Sequence, residues 1–193
     1  MLMHKGTQII NTDRLLLRKY ESDDAADMFE NWANDCEVTK FLSWKPHNNV
    51  QDTKEIIDQV VERYENSTYY WAIKFKEIDE VIGDISIVRF DETCCSCEIG
   101  YCMSRKYWGM GIMSEALKAV IDYLFSEIGF NRIAATHDTN NIASGKVMIK
   151  SGMKHEGILR QARLRDNKYF YDLALYSILK DEWIRLFAKN YVL

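Results

Sequence analysis

One proline and nine glycines in 193 residues leave little material for a long flexible linker. No composition shift, internal repeat or low-complexity tract marks an internal boundary, so a single globular domain over residues 1–193 is expected. Long apolar runs are missing as well, because charges interrupt each one before it could span a bilayer. The opening Met1-Leu2-Met3-His4-Lys5-Gly6 has no apolar segment of the secretory kind. Together these absences predict a soluble, cytoplasmic protein with no membrane partner. A basic surplus is also lacking: the net charge is −4 and the isoelectric point lies near 5.6. That reads against nucleic acid, although Arg160, Arg163 and Arg165 make a local basic patch. Metal-site spacing is missing too. Five cysteines include Cys94-Cys95-Ser96-Cys97, with Cys36 and Cys102 further off. Alternation on a strand turns Cys95 and Cys97 one way and Cys94 and Cys102 the other, which breaks up a four-ligand cluster. Reduced structural thiols and no metal are expected.

What is present is 47% hydrophobic and 28% charged, enough for a sizeable core. A first strand is predicted over Arg14 to Tyr20, then a helix from an N-cap at Ser22 through Trp32. A polar, aromatic-containing segment runs from Asn34 to Asn49. A second helix follows from Gln51 to Tyr64, with Ile56, Ile57, Val60 and Val61 as its buried stripe. Strands are predicted at Tyr69 to Lys76, Val81 to Phe90 and Cys95 to Met103. A helix carries Met113, Ala116, Leu117, Val120, Ile121, Leu124 and Ile128 on one stripe. Next come a strand at Arg132 to His137 and a short helix at Ile142 to Ser151. Strands at His155 to Leu164 and Tyr169 to Ser177 meet at a turn on Asp166-Asn167. A helix from Lys180 to Lys189 closes the chain. Strands first, then strand and helix alternating, indicate a mixed sheet flanked by helices, an α/β (α+β) fold.

The most informative stretch is Tyr107-Trp108-Gly109-Met110-Gly111-Ile112, between a strand and an amphipathic helix. Two glycines permit a tight turn and leave nearby N–H groups without side-chain cover. The first N–H groups of a helix lack internal partners and sit at the positive end of its dipole, so phosphate or pyrophosphate is favoured there. Gly-Lys-Ser/Thr of a P-loop is absent. A dinucleotide fingerprint nearly fits Gly109-Met110-Gly111-Ile112-Met113-Ser114, but the acidic residue due about 20 positions on has no candidate at the end of a strand.

A coenzyme A loop is the remaining reading, and here the sequence resembles the GNAT N-acetyltransferase superfamily, nearest to its RimJ/RimL-type branch. The resemblance runs from Thr12-Asp13-Arg14-Leu15-Leu16-Leu17-Arg18 through Glu98-Ile99-Gly100-Tyr101, the glycine loop and Ser114-Glu115-Ala116. It continues through Asn141-Ile142-Ala143-Ser144-Gly145-Lys146-Val147-Met148, Gly152-Met153, Glu156-Gly157 and Asp172. It implies a GNAT-like fold: a twisted, mixed, mostly antiparallel sheet of about seven strands with about four to five helices. The sheet is expected to splay near its fourth and fifth strands, where a pantetheine arm enters. It also implies acetyl-CoA as co-substrate and transfer of acetyl to a primary amine by direct attack in a ternary complex. A protein N-terminus is the implied acceptor; polyamines, amino acids and aminoglycoside-like compounds are the small-molecule alternatives. A non-catalytic acyl-CoA-binding module is the competing class, and the state of association is monomer or homodimer.

Residue by residue, the resemblance assigns the cofactor to backbone N–H groups of Trp108, Gly109, Met110, Gly111 and Ile112. Lys106 stands where the family usually has Arg or Gln, and it or Arg105 would pair with phosphate; a solvated basic pair is the plain alternative. Glu98 is the candidate general base, directly or through a water. Partial desolvation on its strand would raise its basicity toward the useful range, and an ion-paired structural carboxylate is the alternative. Backbone N–H groups at Cys102 and Met103 would stabilise the oxyanion. Many family members protonate the leaving thiolate with a tyrosine at the position of Met148. Methionine has no such proton, which leaves Ser144 as general acid or thiolate donor. Asn141 would contact the pantetheine arm; both residues could equally be helix caps. Trp44, Tyr70, Trp71 and Arg89 are candidates for the acceptor groove, as are Tyr169 and Tyr171, although strand aromatics usually belong to a core. Asp172 would orient the amine or a neighbouring group.

Overall fold

A computed structural model describes residues 2–65, 68–166 and 168–187. The strands are β1 (Ile10–Asn11), β2 (Leu15–Arg18), β3 (Tyr70–Phe75), β4 (Glu80–Asp91), β5 (Ser96–Met103), β6 (Arg132–Asp138), β7 (Lys154–Arg165) and β8 (Tyr169–Leu179). The helices are α1 (Asp24–Met28), α2 (Cys36–Thr39), α3 (Val50–Glu62), α4 (Ile112–Tyr123), α5 (Ile142–Lys150) and α6 (Lys180–Phe187). The strands hydrogen-bond in the order β1-β2-β3-β4-β5-β6-β8-β7. β5 and β6 are parallel, whereas β1–β2, β2–β3, β3–β4, β6–β8 and β7–β8 are antiparallel. The expected mixed, mostly antiparallel sheet is present, with eight strands among the described residues. Asn167 of the expected turn, and Ala188 and Lys189 of the expected last helix, lie outside the described residues.

The chain forms two compact units. The first comprises His4–Ile87 and Tyr101–Ala116; the second comprises Met1–Met3, Val88–Gly100 and Leu117–Leu193. In the first, Tyr20, Met28, Trp32, Val38, Ile57, Tyr64, Ala72 and Val81 make a buried cluster. α3 begins because the Asn49 side chain accepts from Asp52 N–H, satisfying one orphan donor of the first turn. Of its expected stripe only Ile57 is fully buried, and Ile56 is exposed. Ser22 does not cap the preceding helix. Its hydroxyl donates to Asp58 on α3 at 2.6 Å, and α1 starts at Asp24, whose carboxylate takes both guanidinium nitrogens of Arg18 at 2.7 Å. α1 then continues as a π-helical turn, Phe29–Ala33, which contains the fully buried Trp32. The polar segment after it contains α2, capped by the Asp35 carboxylate.

In the second unit, β6 is flanked by β5 and β8, and Phe125, Ile128, Phe130, Ile133 and Ile178 are fully buried. α4 starts among residues of the first unit, and all seven residues of its predicted stripe, Met113 to Ile128, are buried; the helix runs on through a π-helical turn, Leu124–Ile128. β7 and β8 form a long hairpin with two register shifts. The parallel pairing of β5 with β6 covers only Ser96 to Ile99 against Arg132 to Ala135, although both strands extend further. No described helix is long and apolar enough to cross a membrane.

Candidate active site

The glycine loop is built by its own backbone and one long-range clamp. Gly109 and Gly111 take φ of +80° and +77°, conformations that a β-carbon resists. Nothing lies within 4 Å of where a β-carbon on Gly109 would be, so the loop is open on that side. Among the described residues, no backbone carbonyl accepts from the N–H groups of Gly109, Met110, Gly111 or Ile112. Trp108 is excluded from this donor run: its backbone N–H goes to the Arg105 carbonyl at 3.2 Å, and its indole N–H to the Met103 carbonyl at 2.9 Å. It pins the loop rather than offering an amide. Four consecutive unpaired amides at the head of a 12-residue helix suit the oxygens of a pyrophosphate. The basic pair nearby has protein partners. Arg105 pairs with Asp35 at 3.0 Å, while Lys106 reaches Asn31 only at 3.5 Å, a long bond.

Beneath the loop, Arg14 donates to the Met110 carbonyl at 3.1 Å and to Glu115 at 2.7 Å. Glu115 also accepts from the Thr12 hydroxyl and the Arg14 backbone N–H. Burial opposes ionisation of Glu115, but hydrogen bonds from Thr12 and Arg14 outweigh it and hold the carboxyl below the usual carboxylate range. The opening motif and Ser114-Glu115-Ala116 are therefore one clamp.

In the second unit, Glu98 has both oxygens engaged. Arg89 donates to Oε2 from two nitrogens, at 2.8 and 2.7 Å, and the Thr136 hydroxyl donates to Oε1 at 3.0 Å. The Glu98 side chain is 13% exposed and that of Arg89 79%. This is the ion-paired arrangement that rivals a general-base role, and Arg89 meets Glu98 directly. Asn141 caps α5: its side-chain oxygen accepts from Ser144 N–H at 3.3 Å. The cap reading is thus realised for Asn141, with Ser144 half-buried in the first turn and Met148 buried further along. Asp172 is elsewhere, its carboxylate accepting from Gln161 N–H at 2.8 Å, where Gln161 adopts φ +50° in the irregular stretch of β7. Tyr171 lies under the Arg165 guanidinium, and Tyr169 is exposed.

The first unit brings together residues that the sequence did not connect. Asp84 on β4 is 6% exposed. Its Oδ2 accepts from the hydroxyls of Tyr20 and Tyr70, at 3.0 and 3.4 Å, and its Oδ1 from the Cys102 thiol at 3.6 Å. Burial pushes the Asp84 carboxyl up to about 6, against the hydrogen bonds from Tyr20, Cys102 and Tyr70. Tyr70 and Cys102 are half-buried and pack with Trp44 against the unit's core. Trp71, by contrast, is fully buried and belongs to the core alone. One acidic residue amid Val81-Ile82-Gly83 and Ile85 was the available signal, since a carboxylate in an apolar strand needs partners. All five cysteines are free, and no described His, Cys, Asp and Glu side chains group as a metal site.

Comparison with known proteins identifies the family. Residues 14–154 match the Acetyltransferase (GNAT) domain family. An uncharacterized N-acetyltransferase of Bacillus licheniformis is 33% identical over 177 residues, covering 91% of this chain and 98% of its own. The ribosomal-protein-serine acetyltransferase of Escherichia coli (strain K12) is 30% identical over 131 residues, 68% of this chain and 72% of its own. A crystal structure of a GNAT-family acetyltransferase from Bacillus anthracis superposes with a TM-score of 0.79 at 27% identity, covering 90% of this chain and 99% of that one. A family match across most of the chain and a phosphate-ready loop within it identify the protein as a GNAT N-acetyltransferase.

Proposed function

We propose that the protein transfers acetyl from acetyl-CoA to a primary amine, with a protein N-terminus as the acceptor, by direct attack in a ternary complex. The observation that carries this reading is the run of four unpaired amides from Gly109 to Ile112. The acceptor class is taken from the Escherichia coli relative, whose name specifies a ribosomal protein.

Acetyl-CoA supplies an activated thioester; the residues of this chain hold it, position the amine and move protons. The loop amides take the pyrophosphate, and Lys106 exchanges Asn31 for a phosphate oxygen. Backbone at Cys102 and Met103 serves the carbonyl oxygen, the Asn141 amide the pantetheine arm and the Ser144 hydroxyl the departing sulfur. Glu98 enters as the anchor of Arg89, and Arg89, Trp44 and Tyr70 are the residues assigned to the acceptor. Juxtaposing amine and thioester supplies most of the rate enhancement.

Calorimetry with acetyl-CoA, followed by thiol release with N-terminal peptides and a panel of small amines, tests the proposal. Peptides should be the preferred acceptors. Selective turnover of a polyamine or amino acid would move the acceptor to a small molecule, and binding without thiol release for any amine would favour an acyl-CoA-binding module. A Gly111→Ala variant forces a β-carbon into the left-handed region at about 1–2 kcal/mol. It should weaken acetyl-CoA binding about tenfold while the fold persists by circular dichroism, since about 1.4 kcal/mol is a factor of ten.

A further inference from the structure

The amine must lose a proton as it is acylated, and Glu98 is poorly arranged to take it with both oxygens engaged. Asp84 is a second buried carboxylate, and its surroundings differ in kind. The groups hydrogen-bonded to it are neutral hydroxyls and a thiol: Tyr20 from the segment after β2, Tyr70 from β3 and Cys102 from β5. Tyr64, from the turn after α3, stands behind them, accepting from Tyr20 N–H and donating to the Tyr70 carbonyl. The nearby Arg18 is bound by Asp24 and acts on Tyr64 rather than on Asp84. The Asp84 charge is therefore held by donors that can themselves pass a proton, and two of those donors, Tyr70 and Cys102, belong to half-buried residues at the edge of the unit's core. Tyr70 was already a candidate for the acceptor groove, and Cys102 for the cofactor.

We propose that Asp84 takes the proton of the acceptor amine, through the hydroxyl of Tyr70. This rests on the acetyl-transfer reading above. As the amine nitrogen bonds to the acetyl carbon and the carbon–sulfur bond breaks, a nitrogen proton passes to the Tyr70 oxygen. The proton already on Tyr70 passes to Asp84 Oδ2. The products are the amide, the CoA thiolate and one proton, which Asp84 holds until solvent or the thiolate takes it. Tyr70 is the contact with the amine; Asp84 acts from behind it. Tyr20 tunes the carboxylate, because its hydroxyl stabilises the ionised form. The raised titration of Asp84, to about 6, makes it a better proton acceptor near neutral pH than an ordinary carboxylate.

The test is the pH profile of kcat at saturating amine and acetyl-CoA, so that protonation of free amine does not set the acidic limb. Wild-type protein should show an acidic limb near the Asp84 titration. Asp84→Asn should lose that limb and at least about 100-fold in kcat, with calorimetric affinity for acetyl-CoA within about twofold of wild type. Tyr20→Phe, which removes one donor and leaves the carboxylate, should move the limb to higher pH. Glu98→Gln should retain the limb. An Asp84→Asn protein that keeps both limb and rate overturns the proposal. So does a limb erased by Glu98→Gln and unmoved by Tyr20→Phe, which holds even if Asp84→Asn fails to fold. Absence of thiol release from wild type with every amine would instead remove the acetyl-transfer reading on which the proposal stands.

Discussion

Glu115 carries two roles that a sequence motif would compress into one letter. Its carboxylate is a structural acceptor for Thr12 and Arg14, and through Arg14 it steadies the Met110 carbonyl in the glycine loop. Because its carboxyl is held below the ordinary range, the native state binds this proton less tightly than the unfolded chain does. Its contribution to stability is therefore complete above the unfolded value of about 4.3 and lost as pH falls through the native one. Glu115→Gln should flatten that part of the acid-unfolding curve followed by circular dichroism. It should also weaken acetyl-CoA binding by about tenfold, since a hydrogen bond to a charged group is worth roughly 1.5–3 kcal/mol. The motif was legible, whereas its partner across the chain was not. Glu98 shows the same limit: both it and Arg89 stood out in the sequence, but nothing local said that they hold each other. Asp84 was missed because its partners come from positions 20, 70 and 102, and no spacing rule links them.

At the scale of elements, periodicity served well where one face is fully buried. The α4 stripe emerged residue for residue, because burial on one side is what a 3.6-residue repeat records. Termini fared worse. Ser22 had a good N-cap's chemistry, yet its hydroxyl is claimed by Asp58 from 36 positions away, a tertiary bond that local propensity cannot foresee. The two π-helical turns left no periodic signature either, since each shifts the repeat by about one residue within a single turn. α5 offers a clean separation of cap from contact. Asn141→Ala should destabilise the helix by about 1 kcal/mol, whereas Asn141→Ser should restore most of that by capping in its place. If the Asn141 amide also holds the pantetheine arm, Asn141→Ser will melt like wild type and still bind acetyl-CoA more weakly. Equal affinity would leave Asn141 as a cap alone.

Over the whole molecule, strand number and class could be read closely, but the order β6-β8-β7 could not, since it depends on which faces are covered once the chain has closed. Acid stability is set by several clamps, of which Glu156 is the most strongly shifted. Hydrogen bonds from Arg132 and Ser177 bring its carboxyl down to about 2. Its contribution is present above the unfolded value of about 4.3 and fades as pH falls toward about 2. Glu156→Gln should therefore lower the denaturant midpoint at about pH 6, and by progressively less as the melts are repeated at more acidic pH. The Arg14 clamp has a temporal consequence. Its donor and acceptor stand 101 positions apart, so during synthesis the guanidinium emerges long before the carboxylate that will hold it. A nascent or refolding chain can wind the helix behind the glycines early, but the glycine loop gains its brace only when the two ends of that span meet. Ligand capture should consequently be among the last properties to return on refolding.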